Sequence, residues 1–434
     1  MNISRRRLFA MAGAAGFAAR FGNSADTDPA QMIVRSPRPT DLEMRLAGFN
    51  DEITPIERFF VRTHTYTPQV DANAWNLKVE GTVGRPLALS MAELKKLPHV
   101  EMVSVVECAG NGRSFYRPRV PGAQWEYGSV GNARWTGVRL KDVLAKAGVN
   151  VGSKHVLFDG ADEPIGKMED FRRSITIEKA LDPDTLLAFE MNGQAIPMLH
   201  GFPLRVVVPG WASDSWVKWL TRIELLDHDY EGFWMKSAYR HPMTPVAPGT
   251  VVDPSQMVPV TDLNVKSVMA SPSPGPVLGV PVKVSGAAWS NTSPVAAVDV
   301  SVDGGSTWTA ATLGKDLGRY SWRLFEYSWM PDREGDYTVM SRARNAAGAV
   351  QPVEQQWNPS GYLWNVVHRV PVSYSFPPGY RAACLTCHDE HMMVQQHLTR
   401  AQWEKETDKM VRWGADVKPE LRETLLKYLS ERFQ

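Results

Sequence analysis

Three cysteines occur in 434 residues, and each stands in a run able to do chemistry. Cys384-Leu385-Thr386-Cys387-His388 has the C-x-x-C-H spacing. That spacing suits covalent haem attachment, with two thioether bonds to the porphyrin vinyl groups and His388 as the fifth iron ligand. Met410, in Lys409-Met410-Val411-Arg412-Trp413-Gly414, is the expected sixth ligand. A thioether opposite an imidazole raises the haem potential and so suits accepting electrons. His391, His397, Met392 and Met393 compete for the role, but His391 and Met392 stand too near His388 to reach the opposite haem face easily.

The third cysteine, Cys108, lies in Val105-Val106-Glu107-Cys108-Ala109-Gly110-Asn111-Gly112-Arg113. Taken alone it reads as core filler, nucleophile or ligand to a soft metal. A β-rich run ends at this cysteine, and Gly110, Asn111 and Gly112 permit a tight turn that presents it. Arg113 adds a positive charge that favours a thiolate. No cysteine is left for a disulfide, and thiols used in this way predict a redox enzyme.

The elements that must position these residues divide the chain. Ser4-Arg5-Arg6-Arg7-Leu8-Phe9, followed by a short apolar stretch, fits a twin-arginine export signal over residues 1–25. The stretch is about a dozen residues, where roughly 20 are needed to span a bilayer. The signal predicts a periplasmic address, outside the cytoplasm, where covalent haem attachment also takes place. Its removal takes four arginines and no acid and turns the formal charge of +1 into −3. That balance favours neither nucleic acid nor an anionic membrane as a partner.

A polar lead is expected over 26–45. Residues 46–262 mix strand-like runs (Met102–Val106, Leu204–Val208) with helix-like ones (Met91–Leu97, Leu140–Ala147) in irregular order, which predicts α+β rather than a doubly wound sheet. After the Ser271-Pro272-Ser273-Pro274-Gly275-Pro276 break, alternation such as Val298, Val300 and Val302 against Asp299, Ser301 and Asp303 predicts an immunoglobulin-like β-sandwich over 263–370. A linker over 371–380 then leads to a small all-α haem module at 381–434. There Trp403, Met410, Val411 and Trp413, then Leu421, Leu425 and Leu429, recur at helical spacing.

Several ordered segments make the chain resemble the sulfite oxidase family. They include Phe59-Phe60-Val61-Arg62-Thr63-His64, Cys108-Ala109-Gly110-Asn111 and Ala133-Arg134-Trp135-Thr136-Gly137. Glu190-Met191-Asn192-Gly193, His200-Gly201-Phe202-Pro203-Leu204-Arg205, Val217-Lys218-Trp219-Leu220 and Asp229-Tyr230-Glu231-Gly232-Phe233 continue the series. The resemblance spans roughly residues 45–368 and covers a molybdenum domain and a β-sandwich of the dimerisation type. It implies that Cys108 is the protein thiolate on molybdenum, beside the dithiolene of one molybdopterin and two oxygens. His64, Asp162, His200, Arg205 and Lys218 match positions that hold the pterin and its phosphate, a role to which arginine forks and a lysine charge are suited. Arg62, Arg113, Trp125 and Tyr230 match the substrate pocket, where two guanidinium groups suit a compact sulfur oxyanion. Trp125 is expected to pack the wall, and Tyr230 to hydrogen-bond near the reacting oxygen.

Two departures stand out. Ser360 follows Trp357-Asn358-Pro359 where the animal enzymes carry an arginine, so the anion pocket is expected to be less positive. The haem run lies at the opposite end from those enzymes' cytochrome b5 domain, and resembles the compact cytochrome c modules of bacterial dehydrogenases. These features predict a periplasmic sulfite dehydrogenase that passes electrons to its own haem c and then to a soluble cytochrome c, with a homodimer formed through the sandwich. The rivals are a sulfane-sulfur dehydrogenase of thiosulfate oxidation, a methionine sulfoxide reductase and a non-catalytic haem electron-transfer protein. With all three cysteines engaged, thiol titration of the native holoprotein is expected to count none.

Overall fold

The computed structural model describes residues 26–278, 281–331 and 333–433. The expected export signal at 1–25 lies outside the described residues. Among those described, no helix is long and apolar enough to cross a membrane.

The α+β part is built on two sheets that share one core. In the first, His99–Glu107 pairs along its whole length with Val130–Arg139. Leu186–Met191 joins the far side of that strand and carries Arg205–Val207 in turn. The second sheet runs Leu87–Ser90, Asn76–Gly81, Arg222–Leu226, His155–Asp159, Arg173–Thr176. Its one parallel pair is Asn76–Gly81 with Arg222–Leu226, so βαβ alternation plays no part. Leu77, Val79, Phe158 and Ile223 of the second sheet meet Val106, Trp135, Val138 and Leu187 of the first in a fully enclosed core. Helix Leu140–Ala147 lies where its pattern predicts. The helix beginning at Met91, whose start Ser90 and Glu93 cap, stops at Leu94, short of Pro98, which disfavours helix in the residue before it.

The lead at 26–45 is not a separate segment. Ile33–Pro37 and Thr40–Glu43 form a hairpin, and Thr40–Glu43 pairs with Val61–Arg62. Asp41 of this hairpin holds Arg62, and Glu43 accepts the backbone N–H groups of Glu126 and Gly128. Polar side chains that look like a solvated lead in sequence serve here as buried acceptors.

The β-sandwich has two sheets. One runs Lys266–Ser271, Val282–Trp289, Arg323–Trp329, Thr312–Leu313; the other runs Gly275–Leu278, His368–Ser375, Gly335–Asn345, Val295–Ser301, Thr309–Ala310. Val284, Val298, Phe325, Val339 and Val372 fill the space between them. The strand His368–Ser375 takes in residues 371–375 of the expected linker. Its alternation places His368, Val370, Val372 and Tyr374 inside and Arg369, Pro371, Ser373 and Ser375 outside, a pattern that Pro371 obscures in the sequence.

The sandwich is joined firmly to the α+β part. The Trp289 ring stacks on Phe49 at 5.8 Å, and the indole N–H of Trp322 donates to the carbonyls of Asp51 and Glu52, each at 3.0 Å. Beyond the sandwich, helices Tyr380–Cys384, Glu390–Val394, Arg400–Arg412 and Arg422–Arg432 enclose their own core around Trp403, Leu425, Tyr428 and Leu429. Tyr374 of the last strand belongs to that core, and Glu334 pairs with Arg381, so the helical segment is seated on the end of the sandwich.

Candidate active site

Cys108 follows directly on the buried end of His99–Glu107 and starts a turn. The Asn111 N–H donates to the Cys108 carbonyl at 2.9 Å, and Gly112 adopts φ +89°, a region costly for a residue with a Cβ. Two clefts meet at this turn, and Arg62, His64, Cys108 and Tyr239 line both. The first, a narrow cleft of about 70 Å3, runs past Asp162, His200, Arg205, Asp214 and Lys218. The second, of about 300 Å3, opens past Arg113, Trp125, Ser360 and Tyr362.

The first cleft brings together every residue expected to hold a pterin and its phosphate. Its chemistry is buried positive charge that lacks carboxylate partners. Arg205 donates to the carbonyls of His200 at 2.9 Å and Trp216 at 3.3 Å, while its Nε has no partner. Burial pushes this guanidinium down to about 9. The ammonium of Lys218 donates to the carbonyls of Arg62 and Leu199, at 3.0 and 2.9 Å. Burial, and then the Arg205 charge, push it down to about 7. Both cations flank Gly201, where a Cβ would lie 3.0 Å from Lys218 and 3.2 Å from Arg205, so glycine is what lets them approach.

Burial likewise holds His64 and His200 well below the ordinary imidazole range, neutral and able to hydrogen-bond. His200 Nε2 lies 2.8 Å from the hydroxyl of Thr27, a residue of the lead. Asp162 is raised to about 6 by burial, against the pull of Lys218. Unpaired buried charge is costly, and a bound anion removes that cost. The donor set therefore fits a phosphate-bearing organic group. Among the described residues, no three His, Cys, Asp or Glu side chains gather as a metal-holding set. A metal at Cys108 must then bring its other donors with it, as a dithiolene does for a soft-ligand site.

The second cleft brings together three of the four residues expected to form a substrate pocket, Arg62, Arg113 and Trp125. Arg62 reaches Asp41 at 3.1 Å and remains partly exposed at the mouth. Arg113 is buried, with its guanidinium 4.7 Å from the centroid of the Tyr362 ring and its Nε without a partner. A Cβ at Gly122 would fall 2.6 Å from its Nη1, so a second glycine slot admits this arginine. Trp125 is fully buried and forms wall, as expected. Burial raises the Cys108 thiol, while the Arg62 and Arg113 charges favour the thiolate.

Tyr230 is not brought to the site. It lines neither cleft; its ring lies 5.6 Å from the Arg172 guanidinium and packs on Gly232, where a Cβ would sit 2.3 Å from the phenol oxygen. The short helix Phe233–Lys236 carries the chain past it and delivers Tyr239 instead. The Tyr239 hydroxyl is 2.7 Å from His64 Nε2, and its ring stacks on Tyr362 at 5.3 Å. Arg173, buried against Asp214, has its guanidinium 5.2 Å from the Tyr239 ring centroid. Burial keeps the phenol protonated far above its usual range. Sequence reasoning missed Tyr239, Tyr362 and Asp41. The one local signal for Tyr239 is its φ of +52°, which cannot be read from residue types.

The comparisons agree with this geometry. A family model described as an oxidoreductase molybdopterin binding domain matches residues 64–234, and one described as a Mo-co oxidoreductase dimerisation domain matches 257–375. Fold and site thus define a molybdopterin-binding oxidoreductase with a sandwich of the dimerisation type. Sulfite oxidase of Gallus gallus is 38% identical over 336 residues, covering 73% of this chain and 72% of that protein. Mitochondrial sulfite oxidase of Macaca fascicularis is 36% identical over 357 residues, 78% of this chain but 65% of its own length, so the chain spans less than two thirds of that relative. The structure of the sulfane dehydrogenase SoxCD from Paracoccus pantotrophus superposes with a TM-score of 0.67 at 28% identity, covering 81% of this chain and 93% of that one. The chain belongs to the sulfite oxidase family.

If the unpaired cations serve the pterin phosphate, Arg205→Met should lower molybdenum and pterin retained on purification by about 10-fold or more. The melting temperature of the cofactor-free protein should not fall, because the variant also removes a buried unpaired charge. Metal analysis and melting curves of both forms check this.

Proposed function

We propose that the protein is a periplasmic sulfite dehydrogenase that oxidises sulfite to sulfate and passes two electrons to a haem c and then to a soluble cytochrome c. The observation that carries this reading is the convergence of Arg62, Arg113 and the Tyr239 hydroxyl on the cleft that ends at Cys108. Sulfite and water give sulfate, two protons and two electrons. A molybdenum–molybdopterin group, held by Cys108 and by the Arg205 and Lys218 cations, would supply oxygen-atom transfer and take up the electron pair.

This chain's residues do the rest. The guanidinium groups of Arg62, partly exposed at the mouth, and buried Arg113 attract and orient a compact dianion in the cleft. Trp125 and Tyr362 close the wall. Tyr239, protonated and 2.7 Å from neutral His64, offers a hydroxyl beside Cys108 that can donate to an oxyanion while the imidazole orients it. Ser360 leaves the mouth without a third arginine, which favours release of the product sulfate.

The haem reading is supported by a further cavity, of about 260 Å3, in the C-terminal helices. Cys384, His388 and Met410 all line it, with Trp403, Leu425 and Leu429 as apolar walls. An imidazole and a thioether facing one apolar space suit axial ligation, and Cys384 with exposed Cys387 suits thioether attachment. The sandwich, matched as a dimerisation domain, supports a homodimer, and the twin-arginine run supports the periplasmic address. A second reading, oxidation of a sulfane sulfur, is favoured by the superposition on SoxCD.

Adding sulfite to the oxidised holoprotein is expected to convert the haem c to its reduced spectrum within the dead time of hand mixing. Reduction by a sulfane-sulfur carrier but not by sulfite would move the assignment to the second reading, and haem without molybdenum would remove catalysis altogether. Tyr239→Phe should lower kcat/KM for sulfite by about 100-fold with molybdenum content intact. Tyr230→Phe should leave it unchanged, and steady-state kinetics with cytochrome c as acceptor compare the two.

A further inference from the structure

The residue immediately before Cys108 is a buried acid whose main partners come from the other domain. Glu107 is 4% exposed, and its carboxylate accepts three hydrogen bonds. Lys266 Nζ donates to Oε1 at 2.5 Å, the Trp289 indole N–H donates to Oε2 at 2.7 Å, and Asn111 Nδ2 donates to Oε1 at 2.8 Å. Lys266 is equally buried and, like Trp289, belongs to the β-sandwich.

Asn111 passes the hold to the far side of the turn. Its Oδ1 accepts from the Ser129 N–H at 3.3 Å and the Ser129 hydroxyl at 3.0 Å, while the Ser129 carbonyl accepts from the Cys108 N–H at 2.9 Å. The chain of bonds Glu107–Asn111–Ser129–Cys108 closes on itself, and the sandwich grips it at the carboxylate. We infer that Lys266 and Trp289, through Glu107, are positioning residues by which the β-sandwich fixes the Cys108 turn against the cleft. The inference rests on the reading that Cys108 holds the metal.

A buried ion pair is weak evidence for stability, because desolvation offsets most of its attraction. Its best-attested use is to fix a register, and here it fixes one between two parts of the site. Tyr362, which stacks on Tyr239 and faces Arg113, comes from the polypeptide that follows the sandwich strand Gly335–Asn345. The Leu363 N–H donates to the Ala109 carbonyl at 2.9 Å, next to the cysteine. A turn free to shift against the sandwich would move the thiolate relative to Arg113 and Tyr362 together.

The test separates position from charge. Glu107→Gln/Lys266→Met removes the buried pair as a unit and keeps one amide oxygen to accept from Asn111, while the Trp289 indole N–H, which can only donate, loses its acceptor. Glu107→Ala/Lys266→Met removes the charge and the hold. In the holoenzyme, molybdenum K-edge X-ray absorption reads the Mo–S distances and their spread without reference to turnover or haem. The alanine double variant is expected to show a widened Mo–S shell and a kcat/KM for sulfite lowered by about 10- to 100-fold. The glutamine double variant, which keeps the Asn111 bond alone, should fall between wild type and the alanine double variant in both. A wild-type Mo–S shell in the alanine double variant, or equal losses in the two, would overturn the inference. If the alanine double variant does not accumulate folded, Trp289→Phe, which deletes one donor, is judged by the same two readouts. If the wild-type enzyme does not oxidise sulfite, the Mo–S comparison still decides the positioning role.

Discussion

The rest of the structure depends on one electrostatic constraint: cations buried at the floor of a cleft without carboxylates to pair them. Arg205 and Lys218 are satisfied only by backbone carbonyls, and burial pulls both below their ordinary ranges. A protein tolerates this only where the surrounding fold is held firmly enough to stop the side chains turning out to water. The two-sheet core behind the cleft, with Trp135 and Trp216 near the Arg205 guanidinium, supplies that rigidity. Binding an anionic group then releases stored desolvation cost. Affinity for an anionic group and rigidity of the cleft are two sides of the same arrangement.

The acids that are present are placed to orient rather than to neutralise. Asp41 holds Arg62 at the mouth, Asp214 holds Arg173 behind Tyr239, and Glu107 ties the Cys108 turn to the sandwich. Each cation that points into a cleft is therefore either fixed by a carboxylate from behind or left unpaired toward the expected ligand. This division explains how a chain of nearly balanced formal charge builds a strongly positive site.

The sandwich helps to build the site. Ser360 and Tyr362 line the second cleft, and Lys266, Trp289 and Trp322 bond into the other domain. The proline-rich break near residue 272 reads in sequence as a division between domains, yet Val268, Ala287, Trp289 and Trp322 share one core with Phe49, Leu199 and Tyr239. Local punctuation marks where the chain changes pattern. It carries no information on whether the faces on either side are buried against each other.

Much of the site was legible, by two routes. A lone cysteine before a glycine-rich turn and a C-x-x-C-H run pointed by residue type to Cys108 and His388, while Arg62, Arg113, His64, His200, Arg205 and Lys218 were reached through the resemblance of ordered segments to the sulfite oxidase family. The clefts gather all of these except His388, which lines a cavity of its own. The strand leading to Cys108 and the helix at Leu140 followed from period-two and helical patterns, since burial of one face is a local property of the sequence. The role of the lead, the extent of the last sandwich strand and the choice of Tyr239 over Tyr230 were not legible. Each depends on long-range contacts: Thr27 with His200, the strand at 368–375 with those at 275 and 335, and Tyr239 with His64 and Tyr362. Sequence by itself determined which chemistry the chain could hold; only the tertiary structure decided which tyrosine meets it, because a side chain's place in a cleft is set by where distant backbone carries it.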